Sequence, residues 1–374
     1  MKYFIIAGEA SGDLHGANLI KSLKKIDTNG HFRVWGGDKM QAAGGELVKH
    51  YKDHAFMGIM PVIKNLGTIR RNLIQVVEDI ENFSPNALIL IDYSGFNLRV
   101  AKKVRHLKFK IFYYISPQVW AWRKNRVYDI KKLTDKVFSI LPFEKEFYSE
   151  YDVDVEYVGH PLLDSIKEFN EGFTISEKEF RKKNKLSDKP LVALIPGSRR
   201  QELLAQLPIM LGAVENFPDY QFVIAGMSSI KDETYLDCTS GFDISIIHDQ
   251  TYELLSFSKA ALVTSGTATL EAALFNVPEI VCYRAGTLSY ILVKNLVKIK
   301  FISIVNLIMG RKVVNELIQK DLTVDNVTYE LRLLLSDDST RKNVTAGYEE
   351  VKNKLGGPGA SIRAAKGMYD LMMN

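Results

Sequence analysis

The 374 residues are too many for one typical hydrophobic core and suit two domains. An apolar fraction of 46%, a charged fraction of 25% and only two cysteines, Cys238 and Cys282, exclude a disordered chain, a disulfide framework and a cysteine metal cluster, and fit a reducing compartment. The net charge of +5 is small, but Pro61 to Lys136 holds 15 Lys/Arg against 6 Asp/Glu, so the rest of the chain is net acidic.

The first apolar run, Tyr3-Phe4-Ile5-Ile6-Ala7, is too short for the core of a signal peptide and turns at once into Gly8-Glu9-Ala10-Ser11-Gly12-Asp13. A glycine-rich turn between strand and helix brings backbone N–H groups close to an anion, although many α/β chains carry one. Glu9 and Ser11 are candidate site residues here. Asp13 reads equally as a helix cap, and His15 as a surface or capping side chain. A second strand-like run covers 31–35. Met57 to Leu73 then sets Met60, Val62, Ile63, Leu66, Ile69 and Leu73 at helical spacing beside Lys64, Arg70 and Arg71. That pattern fits a helix lying in an anionic membrane surface, or a helix packed into its own core, which is the commoner case. The basic excess of 61–136 points to an anionic partner or to a solvated basic face, with nothing in charge alone to separate them.

The strand-like run 87–92 leads into Ile91-Asp92-Tyr93-Ser94-Gly95-Phe96-Asn97. An acid at the carboxyl end of a parallel strand lies where open α/β sheets bind ligands, and as a general base it would contribute about 10²–10⁴-fold in rate. A turn or capping role for Asp92 stands beside that reading. The run 110–116 ends in Ser116-Pro117-Gln118-Val119-Trp120-Ala121-Trp122-Arg123, whose two Trp residues are either core or the lining of a lipid or sugar pocket. Further strand-like runs cover 137–141 and 155–158. From 161 to 190 the chain is rich in Lys, Glu, Asp and Asn and reads as the connection between halves plus an opening helix.

The second half repeats the alternation, with strand-like runs at 191–195, 221–225, 243–247, 260–264 and 279–283. The first of these ends in Pro196-Gly197-Ser198-Arg199, where a planar guanidinium beside a helix start suits a diphosphate; Arg200 reads as a surface ion-pair partner. The fourth ends in Ser265-Gly266-Thr267-Ala268-Thr269, a small-residue loop suited to phosphates, with Glu271 placed to accept from ribose hydroxyls or merely to complement the helix dipole. Neither a Walker-type phosphate loop nor a Gly-x-Gly-x-x-Gly fingerprint occurs. The apolar region 287–310 is broken by Lys294, Lys298 and Lys300, which argues against a membrane span. Gly356-Gly357-Pro358-Gly359 stops one helix and Ala360 to Met373 forms the last. Alternation of this kind predicts an α/β protein of two doubly wound domains, with the chemistry in a cleft between them. The expected divisions are 1–165, 166–345 and a closing helical segment 346–374.

GEASGD at 8–13, MGIMPV at 57–62, IDYSGFN at 91–97, SPQVWAWR at 116–123 and LPFEKEFY at 141–148 follow one another in that order. VGHPLLD at 158–164, PGSRRQE at 196–202, SGTATLE at 265–271 and NLIMGRKVVNELIQ at 306–319 complete the set. In this order the chain resembles the lipid-A-disaccharide synthase family of bacterial glycosyltransferases over nearly its whole length. The resemblance implies a glycosyltransferase B-type fold of two Rossmann-like domains, the first on the acceptor and membrane side, the second binding the UDP-sugar, with the last helix crossing back to the first. It implies inverting transfer of 2,3-diacylglucosamine from UDP-2,3-diacylglucosamine to 2,3-diacylglucosamine 1-phosphate, giving a β-1,6 disaccharide and UDP with no metal or other cofactor.

By motif match, Asp92 would be the base or the acid that orients the acceptor, Arg199 would neutralise the leaving diphosphate, and Glu9 and Ser11 would line the site near the reacting sugar. Gly197, Ser198, Arg199, Ser265, Gly266, Thr267, Ala268, Thr269 and Glu271 would hold UDP, with Asn306 and Arg311 assisting. Met60, Val62, Ile63, Leu66, Ile69, Arg70, Arg71, Trp120, Trp122 and Arg123 would face the acceptor or an anionic inner-membrane surface, on its cytoplasmic side in a Gram-negative bacterium. Nucleic acid is not an expected partner, and a homodimer is left open. Gly95 stands where a second Asp is frequent in the family, so the base falls on Asp92 alone, and His15 receives no catalytic role. Two other readings stand beside this one. The first is a UDP-N-acetylglucosamine 2-epimerase-like enzyme on the same fold, and the second is a non-catalytic binder of anionic surfaces.

Overall fold

A computed structural model of the protein describes residues 1–54, 66–122, 124–284 and 300–373. The chain divides into two compact units, Met1–Ser165 with Gly357–Asn374, and Ile166–Gly356.

In the first unit β1 (Lys2–Ala7), β2 (His31–Gly36), β3 (Glu46–His50), β4 (Ala87–Ile91), β5 (Lys110–Tyr114), β6 (Lys136–Ser139) and β7 (Val155–Tyr157) form one sheet. Its order is β3-β2-β1-β4-β5-β6-β7, and every pairing is parallel. Side chains alternate across a strand, so β1 feeds two cores. Phe4 and Ile6 join Leu88 and Leu90 under Val76 and Ile80 of the helix Leu66–Phe83 and Val100 of the helix Ser94–Val104. Tyr3, Ile5 and Ala7 point the other way, onto Ile20 and Leu23 of the helix Ala10–Ile26 and Ala364 and Met368 of the helix Ala360–Met373. Burial on both faces explains why β4, and β1 from Tyr3 onward, are uninterrupted apolar runs.

The closing helix is tied into this unit by its own first turn. The Asp164 carboxylate accepts from the backbone N–H of Gly359 and of Ser361, and Arg363 Nε donates to the Val158 carbonyl at 2.7 Å. His15 and His160 are buried beside this junction, and burial pushes them down to about 4 and about 3, so both imidazoles are neutral there.

In the second unit β8 (Leu191–Ile195), β9 (Gln221–Gly226), β10 (Ser245–His248), β11 (Ser258–Thr264), β12 (Glu279–Tyr283) and β13 (Asn315–Ile318) form a parallel sheet in the order β10-β9-β8-β11-β12-β13. The helix Asp338–Leu355, which a boundary at residue 345 would divide, belongs to this unit. Both sheets are Rossmann-like and doubly wound. The strand order reverses between β1 and β4 in the first and between β8 and β11 in the second, and such switch points are where open α/β sheets hold ligands. The sequence reading missed β3 and β13. Each is the last strand at one end of its sheet, short and mixed in polarity (ELVKH and NELI), because an edge strand is not buried on both faces.

Glu279 opens β12 fully buried, and neither carboxylate oxygen has a hydrogen-bond partner among the described residues. Burial, reinforced by the charge of Glu316, holds its carboxyl well above the usual range. A raised acid favours folding fully below its unfolded-state value, and that contribution is lost as pH rises through the folded value, at about 1.4 kcal/mol per pH unit between the two. Glu279→Gln is therefore expected to flatten the fall in melting temperature between pH 5 and pH 9. A variant that melts along the wild-type pH curve removes Glu279 from the alkaline loss.

Candidate functional site

At the first switch point Ala7 pairs with Ile91, so the turns after β1 and β4 are neighbours. A Cβ on Gly8 would lie 2.3 Å from the Tyr93 ring, so only glycine lets the two turns pack this closely. Glu9 and Ser11 are bonded to each other, Ser11 Oγ donating to Glu9 Oε1 at 2.7 Å. Asp13 is buried and turned away from them. Its carboxylate accepts from the N–H groups of Gly37, Lys39 and Met40 and so caps the helix Asp38–Ala42 rather than its own.

Asp92 and Tyr93 both adopt left-handed backbone, with φ of +43° and +46°. Such residues cost about 1–3 kcal/mol each and persist only where the surroundings over-determine them. Here the surroundings do so. The Tyr113 hydroxyl donates to the Asp92 carbonyl at 2.6 Å, Asn97 Nδ2 donates to the same carbonyl at 2.8 Å and to that of Ile91 at 3.1 Å, and the Asp92 N–H reaches the Ile115 carbonyl at 3.2 Å. Tyr113 was legible only as a strand residue. Its role comes from its position at the end of β5 beside β4, which spacing does not reveal. Close by, Arg126 Nη1 donates to Ser94 Oγ at 2.8 Å.

The loop after β5 is anchored from the helix Glu144–Ser149 that follows β6. Glu144, fully buried, accepts from Ser116 Oγ at 2.9 Å, Trp120 Nε1 at 3.2 Å and the Leu141 N–H at 3.2 Å. Burial pushes its carboxyl up to about 7 while those donors pull it back. Two sequence motifs, SPQVWAWR and LPFEKEFY, thus meet at one carboxylate. Trp120 is only 9% exposed and its ring meets Phe143 edge-on, so its indole is part of the packing. Trp122 ends the helix Val119–Trp122, but its side chain and all of Arg123 lie outside the described residues.

At the second switch point Ile195 pairs with Val263, which sets the turn Pro196–Arg199 beside Ser265–Thr269. Gly197 has φ of +107°, a region that strains any other residue, and a Cβ there would meet Glu202 at 2.7 Å. Ser198 and Arg199 are exposed, and Arg199 Nη1 lies 3.2 Å from Glu202 Oε1. Tyr283, at the end of β12, is raised chiefly by burial and further by Glu202, while Arg199 lowers it, so it borders the same spot. Gly266 and Thr267 are exposed and Ser265 and Ala268 half-buried at the start of the helix Thr267–Leu274. None of the four helices that begin at these junctions, at Ala10, Ser94, Arg200 and Thr267, has a side-chain N-cap. Their first-turn N–H groups and positive dipole ends favour an anion.

Thr269 and Asn306 stand differently. Both are fully buried, Thr269 Oγ1 donating to the Gly266 carbonyl and accepting from the Ile304 N–H. Asn306 Nδ2 donates to the Val314 carbonyl and Glu316, and Oδ1 accepts from the N–H groups of Val313 and Val314. All four positions of that amide are engaged inside the unit. Glu271 accepts from the Tyr252 hydroxyl at 3.2 Å, and burial raises its carboxyl to about 7 against that bond. Arg311 is exposed and paired with Glu350.

Met60, Val62 and Ile63 lie outside the described residues, and Leu66 opens its helix with a side chain that is not described. Arg70, Arg71 and Ile74 are exposed on that helix, Ile69 is half-buried, and Leu73 packs against the core, so part of the amphipathic stripe is internal. Among the described residues no helix is long and apolar enough to cross a membrane, and no group of His, Cys, Asp and Glu is arranged to hold a metal ion.

The family described as lipid-A-disaccharide synthetase matches residues 3–364. The lipid-A-disaccharide synthase of Geobacter sulfurreducens is 38% identical over 371 residues, covering 97% of this chain and 95% of that one. That of Syntrophus aciditrophicus is 38% identical over 369 residues, covering 96% and 95%. Among solved structures, the UDP-GlcNAc 2-epimerase of Neisseria meningitidis bound to UDP-GlcNAc superposes with a TM-score of 0.72 at 14% identity, covering 99% of this chain and all of that one. A glycosyltransferase from Rickettsia africae gives 0.60 at 13% identity, covering 100% and 98%. These two likenesses are of fold alone, and the epimerase reading gains nothing more from them.

Proposed function

The chain belongs to the lipid-A-disaccharide synthetase family, and from that premise we infer that its two switch points divide the work of one inverting sugar transfer. The protein is a glycosyltransferase that joins 2,3-diacylglucosamine from its UDP derivative to 2,3-diacylglucosamine 1-phosphate. The 6-hydroxyl oxygen of the acceptor bonds to the anomeric carbon of the donor, the bond from that carbon to the diphosphate breaks, and UDP leaves with the electron pair.

Asp92 takes the hydroxyl proton, and its clamped turn supports that role by holding the carboxylate's backbone in one place. Glu9 and Ser11, bonded to each other across the neighbouring turn, border the reacting sugar. Arg199 and the N–H groups of Gly197, Ser198 and Ser265 to Ala268 neutralise charge on the leaving diphosphate, and Glu271 accepts from the ribose. The observation that carries these roles is their placement. The acids follow β1 and β4, the anion-favouring turns follow β8 and β11, and each pair flanks a switch point.

The direct test is an assay in detergent micelles with UDP-2,3-diacylglucosamine and 2,3-diacylglucosamine 1-phosphate, following disaccharide and UDP by mass spectrometry. Disaccharide and UDP in equal amounts are expected. UDP released without disaccharide, or neither product, overturns the reading.

The acceptor is an acylated anion, and an anionic membrane surface on the cytoplasmic side is proposed as the place where it is met. Exposed Arg70, Arg71 and Ile74 on one helix support this, within the basic stretch 61–136. Sedimentation with phosphatidylglycerol vesicles is expected, weakening as salt rises. A protein that stays in the supernatant at low salt sinks the idea.

A further inference from the structure

We propose that Glu316 is a positioning residue for the nucleotide loop, holding Ser265 and the start of the helix Thr267–Leu274 through the segment 302–306. This rests on the reading of Ser265 to Ala268 as part of the UDP site. Glu316 lies on β13, one strand beyond β12, and takes no part in the switch point itself. Its Oε1 accepts from the Ser303 N–H at 2.9 Å, the Ile302 N–H at 3.2 Å and Asn306 Nδ2 at 2.8 Å, and its Oε2 accepts from the Ile302 N–H at 3.0 Å.

The segment so held carries two contacts onward. The Ile302 carbonyl accepts from Ser265 Oγ at 2.9 Å, and the Ile304 N–H donates to Thr269 Oγ1 at 3.3 Å. Thr269 Oγ1 in turn donates to the Gly266 carbonyl at 2.9 Å. One carboxylate therefore fixes both flanks of Gly266 and Thr267, the exposed residues whose N–H groups begin the helix. Asn306 serves the same end from the other side. It ties Val313 and Val314, just before Glu316 in the chain, to the helix Ile304–Met309.

Bonds to an ionised acceptor are about twice as strong as neutral ones, and removing the acceptor leaves buried donors unpaired. A glutamine in place of Glu316 keeps the shape and one acceptor oxygen but turns an NH₂ group toward the Ile302 N–H. The 3.0 Å contact of that N–H becomes a donor facing a donor, which loosens the segment and the loop with it. A role confined to stability would instead weaken the whole unit and leave nucleotide affinity in proportion to folding.

The experiment uses the full chain with UDP as the probe, by titration calorimetry and by steady-state kinetics. Glu316→Gln is expected to weaken UDP binding at least about tenfold and to raise the donor KM by a similar factor, with the acceptor KM unchanged. Val327→Ala, a truncation in the core of the same unit, serves as the control with a comparable loss of melting temperature. Wild-type UDP affinity in Glu316→Gln, or an equal loss in Val327→Ala, overturns the proposal.

Ser265→Ala cuts the same chain of bonds at its loop end and remains measurable if Glu316→Gln does not fold. Unchanged UDP affinity there overturns the proposal too. Thr267→Glu keeps the two levels apart, because a carboxylate at the first position of a helix is well tolerated yet repels a diphosphate. If Thr267→Glu binds UDP as tightly as wild type, the loop is not the nucleotide site. If it loses UDP while Glu316→Gln does not, only the role of Glu316 falls.

Discussion

Asp92→Asn is expected to lower kcat by about 10²–10⁴-fold while UDP affinity stays at the wild-type level. The substitution is well suited to isolating the carboxylate. Asn is nearly isosteric with Asp, and both tolerate left-handed backbone better than other side chains, so φ of +43° adds little strain. The bonds that hold the turn, from Tyr113 and Asn97, go to the backbone carbonyl of Asp92 and survive the change. What disappears is the ability to take a proton. Single-turnover kinetics at saturating donor and acceptor reads the chemical step, and calorimetry with UDP reads the rest. Unchanged turnover would remove Asp92 from the chemistry. A lowered melting temperature would mean that the turn had loosened, and a parallel loss of UDP binding, which the second unit supplies, that the damage reached beyond the turn. In that case Tyr113→Phe, which removes one backbone clamp and leaves the acid in place, reports the cost of loosening alone.

The central strands were legible because they are buried on both faces. In β1 and β4 every turn of the pleat needs an apolar side chain, and the run shows through without knowledge of partners. The turns that follow them were legible for a related reason, since glycine and small polar residues appear where backbone must approach something closely. Hidden were the features fixed by neighbours distant in the chain. By spacing Asp13 reads as a cap of its own helix, and it instead caps a helix that begins 25 residues later, which only the pairing of β1 with β2 brings within reach. Glu144 stands within the LPFEKEFY motif, but its role is hidden there, because its partners Ser116 and Trp120 arrive from the preceding strand's loop.

The UDP-side candidates divide along the same line. Gly197, Ser198 and Gly266 were picked for local backbone reasons, and the fold leaves them at or near the surface of their turns. Thr269, which belongs to the same small-residue loop, and Asn306, which the resemblance alone points to, are enclosed completely by the fold. A motif preserves residues that shape a site as faithfully as those that would touch a ligand, and sequence spacing does not tell the two apart. Burial and hydrogen-bond accounting do.

Arg199→Ala is expected to cost about 10²–10³-fold in kcat, comparable to removing one donor from an oxyanion site, with little loss of stability. The stability half follows from exposure. The Arg199 side chain is 56% exposed, and its pairing with Glu202 is of the surface kind, worth about 0–1 kcal/mol. A shift of about 2–4 °C in melting temperature is the most that this pair would give in a unit of this size. The kinetic half follows from where charge develops. The diphosphate carries more negative charge as the glycosidic bond breaks than it does in the bound donor, so a guanidinium aimed at it binds the transition state more strongly than the ground state. The loss should therefore fall on kcat and kcat/KM together. Arg199→Lys keeps the charge and gives up the planar two-pronged contact, so it should recover part of the rate and not all of it. A variant with wild-type kcat and a raised donor KM would confine Arg199 to holding UDP-sugar before the reaction. Wild-type values of both would leave it an ion-pair partner of Glu202 and shift the burden of the leaving group onto the N–H groups of Gly197, Ser198 and the Ser265–Ala268 turn.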